Sequence, residues 1–583
     1  MEDKLKIIKL IFKYCKFEAI ALFIVTFLES ILPILKTYAF AYFIDSLAVL
    51  KEFRFFIIPI FIVCFLKLLQ YILGFFNKFF KIQIKNNLMV EINEYIINKI
   101  AKLEYEYIEN PEKQNLISLI IRKPDVEISE GYYNMLNIIS IMFNIIGVMY
   151  IIFSQSWLVS IVLFFLSIPL SFFSIKKGKG LYKIVDKMSV YNRKCNYLSG
   201  LLFKKNYANE RTLFDFTNEI QERFDKEYGV MSKNIFSTQK SWIRKSLIYN
   251  YIYISIFFII IAFFIQCVKN RLITCGMFVS LFNSLIALNK RLLTELSMCV
   301  NNISMNCEFI KSFNKFENLK SHEEFIDKPS EEQLEFECIE FKNVSFSYTG
   351  NDKVIDNISF KLEKNKRYAL VGKNGCGKTT LVKLMIGLYD NYTGKIFING
   401  KDIKEYKYSQ LKSMYTVVFQ DFAKYYTNLY DNVKIGDING KDDKKIIDII
   451  KYVFNYDESI EFENNLKTVL GNILPNGREL SYGQWQKISL ARCYMSEGSF
   501  KILDEPTSAL DPLIESKVYM EFNKILNNKS SLFISHRMGL IKFVDEILVI
   551  DNGKLVEQGT ADALIKKRGI FYKMFEAQRK WYK

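Results

Sequence analysis

Eight consecutive residues restrict the fold of this 583-residue chain more than any other stretch. Gly372-Lys373-Asn374-Gly375-Cys376-Gly377-Lys378-Thr379 satisfies every fixed position of G-x-x-x-x-G-K-[ST]. The apolar run Arg367-Tyr368-Ala369-Leu370-Val371 precedes it, and the helically patterned Thr380-Leu381-Val382-Lys383-Leu384-Met385 follows. Strand, glycine loop and helix in that order form a phosphate cradle. Glycines let backbone N–H groups converge on phosphate, and the helix N-terminus adds the positive end of its dipole. The expected ligands are ATP and Mg²⁺, with Gly372 through Thr380 around the phosphates. Lys378 would reach the β- and γ-phosphates, and Thr379 would ligate the metal.

A chain this long exceeds one hydrophobic core, so two or more domains are expected. Half the residues are apolar, yet 79 Lys and Arg against 62 Asp and Glu leave a net charge of +17. In a soluble protein that excess would suggest nucleic acid. Here much of it flanks apolar spans, as the positive-inside rule requires. Membrane lipid, not nucleic acid, is therefore the expected partner. Ten cysteines without C-x-x-C pairs argue against a disulfide framework or a zinc site, and fit a reducing cytosol. The basic, amphipathic residues 1–16 lack a following small-residue cleavage site, so the first apolar run reads as a retained span.

Six apolar segments precede residue 305, at about 17–44, 55–76, 135–153, 157–175, 247–268 and 273–299. Most contain the ~20 apolar residues needed to cross a bilayer. Links 45–54, 154–156 and 269–272 are short and lie on one side. The stretches 81–133 and 176–245 are long, charged and helical in pattern, and read as cytoplasmic extensions of the spans. Each has a break suited to a short turn helix: Ile108-Glu109-Asn110-Pro111 and Tyr207-Ala208-Asn209-Glu210-Arg211. Loops this long usually have a task, here docking. Polar residues inside the spans are Glu29, Lys36, Lys67, Asn283, Asn289, Lys290, Arg291 and Glu295. Such groups face a cavity or a partner, and substrate contact competes with structural pairing for each.

Residues 311–333 read as a charged linker containing Pro329-Ser330-Glu331-Glu332, after which short strands alternate with helical segments. Phe500-Lys501-Ile502-Leu503 ends in Asp504-Glu505. A carboxylate at the end of such a strand binds Mg²⁺, which assigns Asp504 to the metal. Glu505 would polarise the attacking water as general base. Lys501 is unusual in a central strand, and its stem is expected to snorkel to an edge. His536, ending the run Ser531-Leu532-Phe533-Ile534-Ser535, is placed to donate to a γ-phosphate, whereas His322 in the linker reads as structural.

Leu480-Ser481-Tyr482-Gly483-Gln484 resembles the L-S-G-G-Q signature of ATP-binding cassette (ABC) transporters, and Trp485-Gln486-Lys487-Ile488-Ser489-Leu490-Ala491-Arg492 continues the likeness. The chain thus resembles an exporter-type half-transporter over nearly its whole length. The resemblance implies a multidomain fold. An all-α six-helix transmembrane domain with long cytoplasmic extensions occupies 1–310. An α/β P-loop domain with a helical subdomain occupies 334–583. It also implies that Tyr348 stacks on adenine, that Gln420 senses Mg²⁺, that Asp511 lies in the loop crossing a dimer interface, and that His536 is the switch histidine. Ser481, Gly483 and Gln484 of a second half-transporter would close over ATP, whether the dimer has two identical or two different halves. The implied mechanism is alternating access powered by ATP binding and hydrolysis. Tyr482 departs from the family's glycine, and a heterodimer with a weaker signature is the alternative it raises. Cys376 occupies a tolerated variable position of the loop, though its thiol could be alkylated or oxidised.

Phe419-Gln420-Asp421-Phe422-Ala423-Lys424-Tyr425 and Gly477-Arg478-Glu479 resemble bacterial exporters of modified peptides such as lantibiotics, which implies a bacterial cytoplasmic membrane. The first span begins so early that a leading cysteine-protease domain is not expected. Drug or lipid export is the other cargo reading. An ATP-gated membrane protein without transport is the alternative function, and the intact Glu505 argues against it.

Overall fold

In the computed structural model the described residues are 2–48, 54–330, 332–348, 352–438, 440, 442–463, 466–472, 477–505, 530–535 and 538–580. They form two compact units, Met1–Ile100 with Gln114–Leu319, and Ala101–Lys113 with Lys320–Lys583.

The first unit is helical. Its elements are α1 (Glu2–Tyr14), α2 (Lys16–Ala48) and α3 (Arg54–Ala101). The chain then visits the second unit through α4 (Tyr105–Glu109) and the start of α5 (Pro111–Ile121). It returns with α6 (Pro124–Gln155), α7 (Trp157–Phe203), α8 (Ala208–Phe214), α9 (Thr217–Lys269), α10 (Cys275–Lys290) and α11 (Leu296–Glu317). In lipid a backbone must satisfy its own N–H and C=O groups, which is why the apolar runs are helices. Among the described residues α2, α3, α6 and α9 are long and apolar enough to cross a membrane. The remaining two apolar segments of the sequence lie in α7 and in α10 with the turn that follows and the start of α11. Helices α3, α7 and α9 run well beyond their apolar parts, so the charged stretches continue the spans as helix. Leu281, Leu285 and Leu292 pack with Tyr253 and Phe264 in the core, and the Tyr253 hydroxyl donates to Leu285 O at 2.7 Å. α10 passes into α11 through one π turn, Arg291–Glu295.

The sequence breaks at 108–111 and 207–211 are turn helices. The first is α4. The second is a 3-10 turn, Lys205–Tyr207, running into α8.

The second unit is α/β. An antiparallel sheet in the order β2-β1-β4-β5 comprises β1 (Cys338–Phe346), β2 (Ile355–Glu363), β4 (Thr393–Ile398) and β5 (Lys401–Asp402). The first strand starts two residues later than the apolar pattern suggests. The N–H groups of Glu337 and Cys338 donate to the Asn399 side chain and that of Phe336 to Ser499, so the ladder opens only at Cys338. The larger sheet has the order β10-β9-β3-β8-β7-β6. Its strands are β3 (Arg367–Gly372), β6 (Tyr415–Val418), β7 (Phe500–Asp504), β8 (Ser530–Ile534), β9 (Glu546–Asp551) and β10 (Lys554–Gly559). β3 lies parallel between β8 and β9, buried on both faces, which explains its continuous apolar run. Helix α12 (Lys378–Met385) follows it, and α13 (Tyr408–Met414) precedes β6. A helical subdomain of α14 (Leu429–Lys434), α15 (Asp443–Glu463) and α16 (Tyr482–Met495) packs around Trp485, Leu429, Ile450 and Phe454. Helices α17 (Ala561–Lys567) and α18 (Ile570–Arg579) complete the described chain.

Lys501 does not snorkel to an edge. It is 3% exposed, and its ammonium donates to Cys493 O at 3.3 Å and Ser496 O at 3.5 Å. Those carbonyls close the C-terminus of α16, where a helix is electronegative and unpaired acceptors wait for a cation.

Candidate active site

The glycine loop takes its shape from two residues with positive φ, Gly375 at 78° and Gly377 at 103°. A Cβ on Gly377 would lie 2.7 Å from Ile355 Cδ1 and 3.0 Å from Val354 O, so both conformation and space demand glycine there. Gly377 caps α12, whose first residues are Lys378, Thr379 and Thr380. Lys378 is almost buried and curls over its own loop, donating to Gly372 O and Lys373 O, each at 3.0 Å. Cys376 is 6% exposed, and burial pushes its thiol above the ordinary 9.0 despite nearby Lys378. Alkylation or oxidation of this thiol is therefore disfavoured, because burial covers the sulfur and desolvation opposes the thiolate.

Strand β7 delivers Asp504 to the foot of this loop. Thr379 Oγ1 donates to Asp504 Oδ2 at 2.9 Å. Asp504 is 1% exposed, and burial pushes its carboxyl up to about 6, helped by neighbouring Glu505 and opposed by the Thr379 hydroxyl. A buried carboxylate beside a hydroxyl and an amide makes an all-oxygen donor set suited to a hard cation such as Mg²⁺. Among the described residues no cluster of three or more His, Cys, Asp or Glu could hold a metal. An ion here would thus take much of its coordination from phosphate and water.

Glu505 leaves the strand with φ at 47°, the left-handed region that costs a non-glycine residue ~1–3 kcal/mol. Its own N–H, donating to Ile534 O at 2.9 Å, holds the strained turn in place. The turn aims the carboxylate at Gln420, whose Nε2 donates to Glu505 Oε2 at 3.0 Å. Gln420 follows the end of β6, the outer neighbour of β7 in the sheet. Tyr348 closes the other side, its hydroxyl 2.9 Å from Thr380 Oγ1.

A cavity of about 490 Å³ collects Tyr348, Asn374, Gly375, Gly377, Lys378, Thr379, Thr380, Gln420, Asp504 and Glu505. Ser481, Gly483 and Gln484 do not line it. They start α16 in the helical subdomain, where Ser481 Oγ accepts from Gln484 N at 3.2 Å and Gln484 Oε1 accepts from Ser481 N at 2.9 Å. The Tyr482 ring leans onto Phe422, with centroids 5.2 Å apart, and Lys424 Nζ sits 5.2 Å from its centre. Arg492, from the same helix, donates to Ala423 O at 2.8 Å and to Asn432 Oδ1 at 2.6 Å, and lies over Tyr425. The signature helix and the segment after Gln420 are therefore tied together. His536 and Asp511 lie outside the described residues.

Sequence reasoning missed a second cluster beside the nucleotide loop. Glu109 of α4 accepts from Lys383 of α12 and from the Tyr389 hydroxyl, and at 2.9 Å from Tyr105. Burial raises the Glu109 carboxyl, but these three donors outweigh it and hold the group below its ordinary 4.5. Burial, then the Glu109 carboxylate, pushes the Tyr389 hydroxyl up, so it stays a donor. The Tyr389 ring also meets Tyr348 at 5.6 Å and Phe346 at 4.8 Å. His322 has the structural role expected of it, pairing with Glu104 at 3.1 Å and packing on Phe325.

Residues 355–508 match the family model for ABC transporters. The chain is 30% identical, over 603 aligned residues, to the subtilin transport ATP-binding protein SpaT of Bacillus subtilis, covering 99% of this chain and 94% of that one. It is 33% identical over 241 residues to the ATP-dependent lipid A-core flippase of Escherichia coli (strain K12), covering 41% of each. The solved structure of a bacterial Atm1-family ABC exporter with ATP bound matches with a TM-score of 0.77 at 19% identity, over 96% of this chain and 98% of that one. At that identity the likeness concerns the fold.

Proposed function

This chain belongs to the ABC transporter family, and from that premise we propose that it is one half of an exporter that uses ATP to move an amphiphilic cargo out of the cytoplasm. The observation that supports this most is the single cavity joining the glycine loop, Gln420, Asp504 and Glu505. Each residue has a defined task in that reading. Tyr348 stacks on adenine. The loop from Gly372 to Thr380 surrounds the phosphates, and Lys378 exchanges its loop carbonyls for phosphate oxygens. Thr379, Asp504 and Gln420 hold Mg²⁺, which when bound neutralises charge on the phosphates. Glu505 takes the proton of the attacking water, oriented by the Gln420 amide. His536 steadies the γ-phosphate.

The cavity lacks the signature residues, so we propose that Ser481, Gly483 and Gln484 complete the site of a second half-transporter, with Asp511 at the junction. ATP then binds the paired state better than the separated one and biases the helices between two conformations. We place the protein in a bacterial cytoplasmic membrane. Its cargo is proposed to be of the kind carried by the relative named for subtilin transport, in line with the modified-peptide exporters that residues 419–425 resemble.

Changing Glu505 to Gln tests the assignment. Steady-state ATP hydrolysis by the purified chain in lipid should fall by at least ~100-fold while ATP binding persists. Undiminished hydrolysis would remove Glu505 as base.

A further inference from the structure

Three cations within apolar segments share one cavity in the helical unit. A space of about 510 Å³ is lined by Lys36 of α2, Lys67 of α3 and Arg291 at the end of α10, and none of its lining residues is acidic. Counted from the ends nearest the short links (Ala48, Arg54 and Cys275), they lie about 18, 20 and 24 Å along their helices at ~1.5 Å per residue. Lys36 and Lys67 are therefore deep in a hydrocarbon layer ~30 Å thick, and Arg291 lies toward its far side. Cations at such depth are costly unless they serve a site.

Among the described residues neither the Lys67 nor the Arg291 side chain has a hydrogen bond or ion pair, and the Lys36 ammonium donates only to the neutral amide of Gln70. Ser280, 2% exposed, opens into the same cavity with its hydroxyl unpartnered. Ser280, Ser284, Ala287 and Arg291 recur at helical spacing on one stripe. The helix then widens into the π turn Arg291–Glu295, a rare distortion that recurs at functional sites. An adjoining cavity of about 490 Å³ shares Lys36 and Arg291 and holds Glu29 and Glu295. Glu29 accepts from Asn77 at 2.6 Å. In that second cavity two cations meet two carboxylates, whereas the first holds three cations and no carboxylate.

We propose that this cavity binds cargo carrying a carboxylate or phosphate on an apolar body, its anion set against Arg291, Lys67 and Lys36. The inference rests on the exporter reading and names the charge class of what is exported. Asn289 and Lys290 do not line the cavity and have no part in it.

The test uses the full chain in phosphatidylcholine nanodiscs and two dansyl probes: 11-(dansylamino)undecanoate and its uncharged methyl ester. Dansyl emission, corrected against protein-free nanodiscs, gives the two dissociation constants. The acid should bind about tenfold tighter than the ester, and R291Q or K67Q should erase that ratio while R291K keeps it. K78Q, outside the cavity, should leave the ratio as in the parent. If R291Q does not fold, K67Q and K36Q decide. Equal affinities in the parent chain, or a ratio unmoved by all three neutralising changes, would overturn the proposal. If added phosphatidylglycerol abolishes acid binding in the parent, the same site is occupied by a lipid phosphate, which supports the anion class and assigns its source. Hydrolysis lost in E505Q together with equal probe affinities sinks only this inference. Hydrolysis unaffected by E505Q removes Glu505 as base and leaves the probe ratio to decide this inference by itself.

Discussion

Replacing Glu109 by Gln should loosen the turn helix α4 from the rest of the second unit. The substitution keeps the shape of the side chain and removes its charge. Lys383 and Glu109 have side chains 15% and 31% exposed, so their ion pair is only partly shielded and contributes ~0.5–1 kcal/mol. The Tyr389 hydroxyl loses a charged acceptor, worth about another 1 kcal/mol. The total of about 1.5–2 kcal/mol corresponds to ~10–30-fold more frequent opening of the contact. Amide hydrogen exchange reports it directly, because the N–H groups of Tyr107 and Asn110 are held only within this segment, by Glu104 O and Glu106 O. Their exchange should accelerate by that factor while amides of β3 stay unchanged. Acceleration below about twofold would show that Glu109 does not hold α4 and would refute the reasoning. The pH dependence has a definite sign. Because the folded carboxyl is held below 4.5, its contribution is complete above that value and is lost as pH falls through the lowered one. Exchange corrected for its intrinsic rate should therefore be flat around neutrality and rise only in acid.

Gly377→Ala places a Cβ against Ile355 and Val354 at a strained φ, and should weaken binding of a fluorescent ATP analogue at least ~10-fold; unchanged affinity would mean the loop does not need that conformation. Tyr482→Gly removes a ring lodged on Phe422 and Lys424, not at the helix cap, so hydrolysis should change by less than about threefold while thermal unfolding drops ~2–4 °C. A loss of turnover as large as that from Ser481→Ala would show that the ring has a part in closure.

The strand, loop and helix around Gly372–Thr379 were legible because local chemistry alone dictates them. An apolar run buried on both faces, glycines at positive φ and a helix start are properties of neighbouring residues. Asp504 and Glu505 were legible for the same reason, since they end an apolar strand. The two turn helices could be placed because Pro111 and the polar run around Asn209 interrupt a helical pattern. The partner of Glu109 could not be read, because Lys383 and Tyr389 approach it only through tertiary folding. Lys501 was misjudged because the acceptors at the end of α16 carry no sequence mark. The π turn at Arg291 was invisible too, since its residues keep ordinary helical spacing. Tyr482 was recognised as a departure, but the side its ring would take depended on Phe422, sixty residues earlier.

The reciprocal bonds between Ser481 and Gln484 bear on how two halves find each other. In both of them a side-chain oxygen accepts, so the Ser481 O–H and the Gln484 amide N–H groups are not spent on the cap and can still donate to a phosphate. The cap locks the direction of those donors before any companion arrives. A lone half already wears the shape its companion's nucleotide would need, and little ordering is left to be done at that corner when the two meet.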